Sequence, residues 1–272
     1  MLKLEIKVAC IQLNATENVA QNLARSSAMI SEAKRKGAQL ACLPEVFHYR
    51  GRSEWFPEAS QTLTSPLVRD FQILAKRKKI NILLGSIIEK SSIAKKFYNT
   101  SVFISQTGKI LGFYRKIHLF DINLPGKVKV SESKYFLPGK RICSVILAGI
   151  KIGLTVCYDL RFPEIFRKLT KSGSQIILVP SNFTYHTGKD HWEALLRARA
   201  IENQVYIVAP DQVGENPVTH VKSFGESLVV DPWGRVLAKG SVGREEVLIA
   251  TLDLKFLQTL RRQFPVLKAS RF

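Results

Sequence analysis

The chain has 272 residues, 46% of them hydrophobic, with 41 Lys and Arg against 22 Asp and Glu for a formal net charge of +19. That size and apolar content suit one large layered α/β domain with a substantial core and exclude a disordered or fibrous chain. No run approaches the roughly 18 apolar residues of a membrane span, and the four cysteines are too scattered for a disulfide scaffold or a CxxC metal site.

Residues 6–13 alternate as a strand, directly after an opening segment with no signal-peptide apolar stretch, which predicts a cytoplasmic protein. Helical spacing over 18–36 stops at Gly37, and a short apolar strand over 39–43 ends at Pro44-Glu45. A helix over 66–79 precedes a buried strand over 80–88 that contains Gly85. Residues 99–105 and 110–115 flank Gln106-Thr107-Gly108-Lys109, a hairpin turn. The segment 121–139 carries Pro125-Gly126 and Pro138-Gly139 without a helical period and reads as a long functional loop. Residues 141–147 and 151–157 form a second hairpin about Ala148-Gly149-Ile150, and Pro163 opens a helix running to about Ser172. There follow a strand over 176–179, a helix over 190–203, a strand over 205–209 and a hairpin over 226–239 turning at Pro232-Trp233-Gly234. A strand over 246–252 and a helix over 254–263 complete the chain. Strands and helices mixed throughout, with no linker or repeat, predict sheets packed in layers within a single domain spanning 1–272.

The positive charge lies in short clusters: Lys34-Arg35-Lys36, Lys76-Arg77-Lys78-Lys79, Lys95-Lys96 and Arg261-Arg262. Two of these fall in the last turn of an expected helix, where cations complement the helix dipole. With no zinc-finger spacing, RNP-like motif or basic tail, they read as solvated faces rather than a nucleic-acid surface. There is no G-x-S-x-G, no P-loop and no G-x-G-x-x-G. His186 and His191 are five apart, not the four that puts two ligands on one helical face, so no metal is expected. A Cys-His pair using His118 or His191 is a weaker alternative.

Three groups end or closely follow apolar runs: Glu45 after Leu43-Pro44, Lys116 within Tyr114-Arg115-Lys116-Ile117-His118, and Cys157 after Leu154-Thr155-Val156. Singly each has an ordinary explanation. Cys157 could be a small buried hydrophobe like Cys10, Cys42 and Cys143; Glu45 could be a strand-end carboxylate, and Lys116 a snorkelling lysine. Jointly they supply what a thiol nucleophile needs, a base for its proton and a cation for the oxyanion it creates. A buried Glu and Lys beside a thiol are costly unless their charges offset, so the three should lie within a few ångströms.

These segments resemble the signature of the nitrilase superfamily of carbon–nitrogen hydrolases. The resemblance extends through Cys157-Tyr158-Asp159-Leu160-Arg161-Phe162-Pro163-Glu164, Pro180-Ser181-Asn182-Phe183-Thr184, His191-Trp192-Glu193, the 197–204 segment and Asp231-Pro232-Trp233-Gly234. Within the superfamily it points to the amidase branch that holds deaminated glutathione amidase and ω-amidase. Arg161-Phe162-Pro163-Glu164, Ala198-Arg199-Ala200-Ile201-Glu202 and Asp231 pull toward the first. Ile117-His118-Leu119-Phe120-Asp121, with Pro125-Gly126-Lys127 after it, leans toward the second.

What the resemblance implies is a four-layer αββα sandwich, α/β in class, and a cysteine amidase that converts a small anionic amide to acid and ammonia through a thioester. Glu45 would be the base, Cys157 the nucleophile, and Lys116 with the Tyr158 backbone N–H the oxyanion holders. Glu132 matches a second carboxylate that positions substrate or lysine. Arg161, Phe183 and Thr184 are candidate substrate contacts; Arg161 would meet a substrate carboxylate unless it pairs with Asp159 or Glu164. No cofactor or metal is implied, and the expected assembly is a homodimer with the Arg199 segment near the interface. Asn182 and Asp190 stand where the two amidases usually carry small residues, on a loop expected to border the pocket. The rival readings are a carbamoylase, a true nitrilase, or a non-catalytic basic binding module with the same fold.

Overall fold

The computed structural model describes residues 5–125, 128–216, 218, 220–269 and 271. The Gly126 half of the expected Pro125-Gly126 turn, and Lys127 after it, lie outside the described residues. The first half of the chain comprises β1 (Glu5–Gln12), α1 (Val19–Arg35), β2 (Leu40–Cys42), α2 (Phe56–Ala59), α3 (Pro66–Lys78), β3 (Asn81–Lys90), β4 (Phe97–Ile104) and β5 (Ile110–Arg115). A ribbon of β6 (Asp121–Leu124) and β7 (Val128–Ser131) follows, then β8 (Cys143–Leu147), β9 (Ile150–Leu154), α4 (Pro163–Lys171), β10 (Ile176–Leu178), α5 (Tyr185–Asn203) and β11 (Tyr206–Ala209). The remainder is β12 (Val213–Glu215), β13 (Lys222–Phe224), β14 (Leu228–Val230), β15 (Val236–Lys239), β16 (Glu246–Asp253), α6 (Leu254–Gln263) and α7 (Val266–Ala269).

Two six-stranded sheets form the centre, in the orders β16-β1-β2-β3-β4-β5 and β15-β14-β11-β10-β9-β8. In each, three parallel strands lie in the middle: Val8 pairs with Leu40 and Leu40 with Asn81 in one, Ile152 with Ile176 and Ile176 with Tyr206 in the other. Strand periodicity divides β1 between two cores. Val8 and Cys10 join Leu40, Leu83, Leu154 and Val208 between the sheets, while Ala9 and Ile11 join Ile30 of α1 and Phe71 of α3 on the outer face. Leu169 of α4 and Leu196 of α5 belong to the core of the second sheet, which gives the αββα layering.

Local sequence explains most element ends. Asn18 caps α1, its side chain accepting from Gln21 N at 3.0 Å, and basic residues occupy the last turns of α1, α3 and α6. Two expectations need correction. The 121–139 segment is not wholly irregular, because β6 and β7 pair with each other (Asp121 with Ser131, Asn123 with Lys129). The polar–apolar alternation of Asp121–Leu124 and Val128–Ser131 is present in the sequence, but each run is only four residues long. Helix α5 begins at Tyr185, not at 190, so Asp190 is not a loop residue. Gly188, inside the helix, makes room for Phe224: a Cβ there would lie 2.3 Å from the Phe224 ring. Asp190 is exposed on α5, 3.9 Å from Lys189 Nζ. The β12–β13 ribbon was also not foreseen.

Candidate active site

Glu45 follows β2 where the chain leaves the sheet. Gly85 inside β3 permits that path, since a Cβ at 85 would sit 1.9 Å from Leu43 O and 2.4 Å from Pro44 O. Ser86 Oγ then accepts from Val46 N at 2.8 Å, and Gln212 Nε2 donates to Glu45 O at 2.8 Å. Val46 is held at φ +49°, a region that β-branched residues avoid, so the turn carrying Glu45 is over-determined by its neighbours.

Lys116 is the first residue beyond β5. Its N–H donates to Asn99 O and its carbonyl accepts from Gly139 N, both at 2.8 Å. Gly139 passes so close that a Cβ would lie 2.0 Å from Arg115 O. The ammonium is 2% exposed and bridges Glu45 Oε1 at 2.9 Å and Glu132 Oε2 at 2.8 Å. Asn99 Nδ2 donates to the same two carboxylates at 2.8 and 3.0 Å, Phe120 N donates to Glu132 Oε2 at 2.7 Å, and Asn182 N to Glu45 Oε2 at 2.9 Å. Burial pulls the Lys116 pKa down, but Glu132 and Glu45 override it and hold the ammonium charged, well above its ordinary value.

Cys157 is the third residue past the end of β9, at the start of a 3-10 turn, Cys157–Arg161, with φ +47°. Its N–H donates to Pro180 O at 2.9 Å. Asp159 fixes this turn: its carboxylate accepts from Val156 N at 2.9 Å, Tyr114 OH at 2.7 Å and His118 N at 3.2 Å, and lies 2.7 Å from His118 Nδ1. The His118 ring stacks on Phe162 at 3.7 Å, so it serves this support and not the thiol. Burial pushes the Cys157 thiol well above its usual range; Glu45, hydrogen-bonded to it, adds to the rise, and Lys116 opposes it. The thiol therefore rests protonated, with a carboxylate in place to take the proton. The Tyr158 N–H has no protein acceptor among the described residues.

A cavity of about 500 Å³ reaches Glu45, Lys116, Glu132 and Cys157 together. Thr184 and Asn182 also line it. Phe183 does not: it is buried against Trp192, ring centroids 5.0 Å apart, and its N–H donates to Asp211 Oδ1 at 2.8 Å. Arg161 lies off the cavity, 3.2 Å from His191 Nδ1 and over the rings of Phe183 and Tyr158. It pairs with neither Asp159 nor Glu164, because the first is occupied by the turn it braces. Sequence reading missed Asn99, Arg50 and Ser223. The polar run Asn99-Thr100-Ser101 inside an apolar strand was the one available signal; the others are met only in three dimensions.

A model of the carbon-nitrogen hydrolase family matches residues 7–262. The chain is 37% identical over 265 residues to omega-amidase NIT2 of Mus musculus, covering 97% of this chain and 95% of that protein. It is 41% identical over 275 residues to deaminated glutathione amidase of Bos taurus, covering 97% and 81%. The crystal structure of the C. elegans NitFhit protein superposes with a TM-score of 0.91 at 35% identity, covering all of this chain (100%) and 66% of that one. Family match, relatives and architecture agree, and this chain belongs to the carbon–nitrogen hydrolase family of the nitrilase superfamily, as a hydrolase of amide-type carbon–nitrogen bonds.

Proposed function

We propose that Glu45, Lys116 and Cys157 are the catalytic groups of an amidase acting on a small anionic amide, with deaminated glutathione as the leading substrate. The observation that carries this is the Lys116 ammonium held between Glu45 and Glu132 at 2.9 and 2.8 Å, beside the hydrogen-bonded Cys157 thiol. Glu45 takes the thiol proton as sulfur attacks the carbonyl carbon. Lys116 Nζ and the Tyr158 N–H hold the oxyanion, where negative charge develops. The intermediate collapses as Glu45 returns the proton to the leaving nitrogen; a thioester remains and the amine departs. It leaves as ammonia from a primary amide such as α-ketoglutaramate and as cysteinylglycine from deaminated glutathione, so the ammonia expected from the sequence applies only to the former. Glu45 then deprotonates a water that hydrolyses the thioester, freeing the acid and the thiol. Glu132 keeps Lys116 in place.

The 41% identity to a deaminated glutathione amidase supports the leading substrate; the 37% identity to an omega-amidase supports α-ketoglutaramate as the alternative. A non-catalytic binding role would leave the buried Glu–Lys–Glu cluster without a purpose. The four free cysteines suit a cytoplasmic protein, and a homodimer is the expected assembly. No helix among the described residues is long and apolar enough to cross a membrane. Release of cysteinylglycine from deaminated glutathione and of ammonia from α-ketoglutaramate, with Cys157→Ala as blank, tests this. Release dependent on Cys157 is expected, faster from deaminated glutathione; release that survives the substitution refutes the mechanism.

A further inference from the structure

The cavity wall carries a second polar chain beside the Glu45–Lys116–Cys157 cluster. Arg50 is only 6% exposed. Its Nη1 donates to Ser223 Oγ at 3.0 Å and Val213 O at 3.3 Å, and its Nη2 to Asn14 Oδ1 at 3.0 Å and Gly214 O at 3.3 Å. Every one of these acceptors is neutral, and Nε is buried with no partner among the described residues. Burial pulls the Arg50 pKa to about 10, with Asp211 opposing from a distance. The guanidinium is thus a buried positive charge that no contacting carboxylate among the described residues balances.

Ser223 passes this polarity on. Arginine can only donate, so Ser223 Oγ accepts from Arg50 and its single proton goes to Asn182, 2.6 Å away. The Asn182 atom facing Ser223 must then be the carbonyl Oδ1, which turns Nδ2 the other way. Nδ2 has no acceptor among the described residues, and Asn182 lines the cavity. The same residue's backbone N–H is bonded to Glu45 Oε2 at 2.9 Å, and its backbone also reaches the Cys157 thiol. A free, oriented amide donor therefore stands next to the nucleophile, polarised from behind by a cation.

Building on the amidase reading above, we propose that Asn182 is a specificity-determining residue whose Nδ2 donates to a carboxylate on the acyl part of the substrate, with Ser223 and Arg50 as positioning residues. A donor backed by positive charge favours an ionised acceptor over a neutral one. A substrate without the carboxylate loses that contact but keeps the chemistry of the cluster.

The test compares succinamate with its neutral methyl ester, matched at the scissile amide. In Asn182→Ala, kcat/KM for succinamate should fall by about 10- to 100-fold, the range of a hydrogen bond to a charged group, mostly through KM. The ester should change by less than about threefold, since its loss involves only a neutral contact. Ser223→Ala, which frees the amide to turn, should give a smaller loss in the same direction. Calorimetric titration of both probes into Cys157→Ala, with and without Asn182→Ala, reads the same preference without turnover. Equal losses on both probes would mean that Asn182 acts only by holding Glu45, and would overturn the proposal, as would no loss on either. Failure of the wild type to hydrolyse any amide would refute the amidase reading. The titrations would still decide this inference: a carboxylate preference that depends on Asn182 upholds it, and its absence sinks it.

Discussion

Gly85 offers a test of how Glu45, the proposed general base, is placed. In Gly85→Ala the added methyl carbon would start 1.9 Å from Leu43 O and 2.4 Å from Pro44 O, both backbone atoms that cannot rotate aside. Cβ contacts below 3.0 Å are essentially never seen, so the Leu43–Glu45 backbone has to move by about 1 Å. A displacement of that size at a reacting group costs on the order of 100-fold in rate. The same overpacking should lower stability by about 1 to 3 kcal/mol, leaving a folded protein. The assay is kcat for Cys157-dependent amide hydrolysis, together with urea denaturation. Gly243→Ala is the control, because nothing lies within 4 Å of a Cβ there. Activity of Gly85→Ala within threefold of wild type would show that the β3 contact does not position Glu45.

Lys116→Met leaves two buried carboxylates facing each other without their cation, which should abolish amide hydrolysis and cost about 3 to 5 kcal/mol of stability in urea melts; wild-type stability would refute the ion-pair account. His48 is fully buried, with Nε2 3.3 Å from Ala59 O, and burial lowers its pKa from 6.5 to about 4. The unfolded chain therefore takes up this proton first as the solution is acidified. Stability from this group is full above the unfolded pKa and declines as pH falls from 6.5 toward 4, by about 2 kcal/mol at about pH 5. Urea denaturation at both ends of that range should show the decline, and His48→Gln should reduce it; an unchanged slope in the variant would refute the assignment.

Much of the architecture was legible because its signals are local. The alternation of β1, the Asn18 cap and Gly37 stop of α1, and the turns at Gly108 and Gly234 each depend on residues within a few positions of one another. Errors came where long-range packing overrode local chemistry. Helix α5 begins five residues before the expected 190, and Gly188 inside it is held by packing: Phe224, 36 residues on, fills the space of its missing Cβ.

The site divides in the same way. Sequence alone determined which chemistry was available, because a thiol, a carboxylate and an ammonium at the ends of apolar runs form a small set of possible reactions. Their convergence was a tertiary outcome. It needs the sheet order that brings β2 beside β3 and β5 beside β4, and the close backbone approaches at Gly85 and Gly139. Likewise only the fold could separate Asn182 from Asp190. The two are eight positions apart in one stretch, yet one donates its backbone N–H to Glu45 and the other points to solvent from α5. Arg50 and Ser223, far apart in the chain, acquire meaning only through the hydrogen bond that joins them, because a side chain's partner is set by the packing of whole elements and not by its neighbours in sequence.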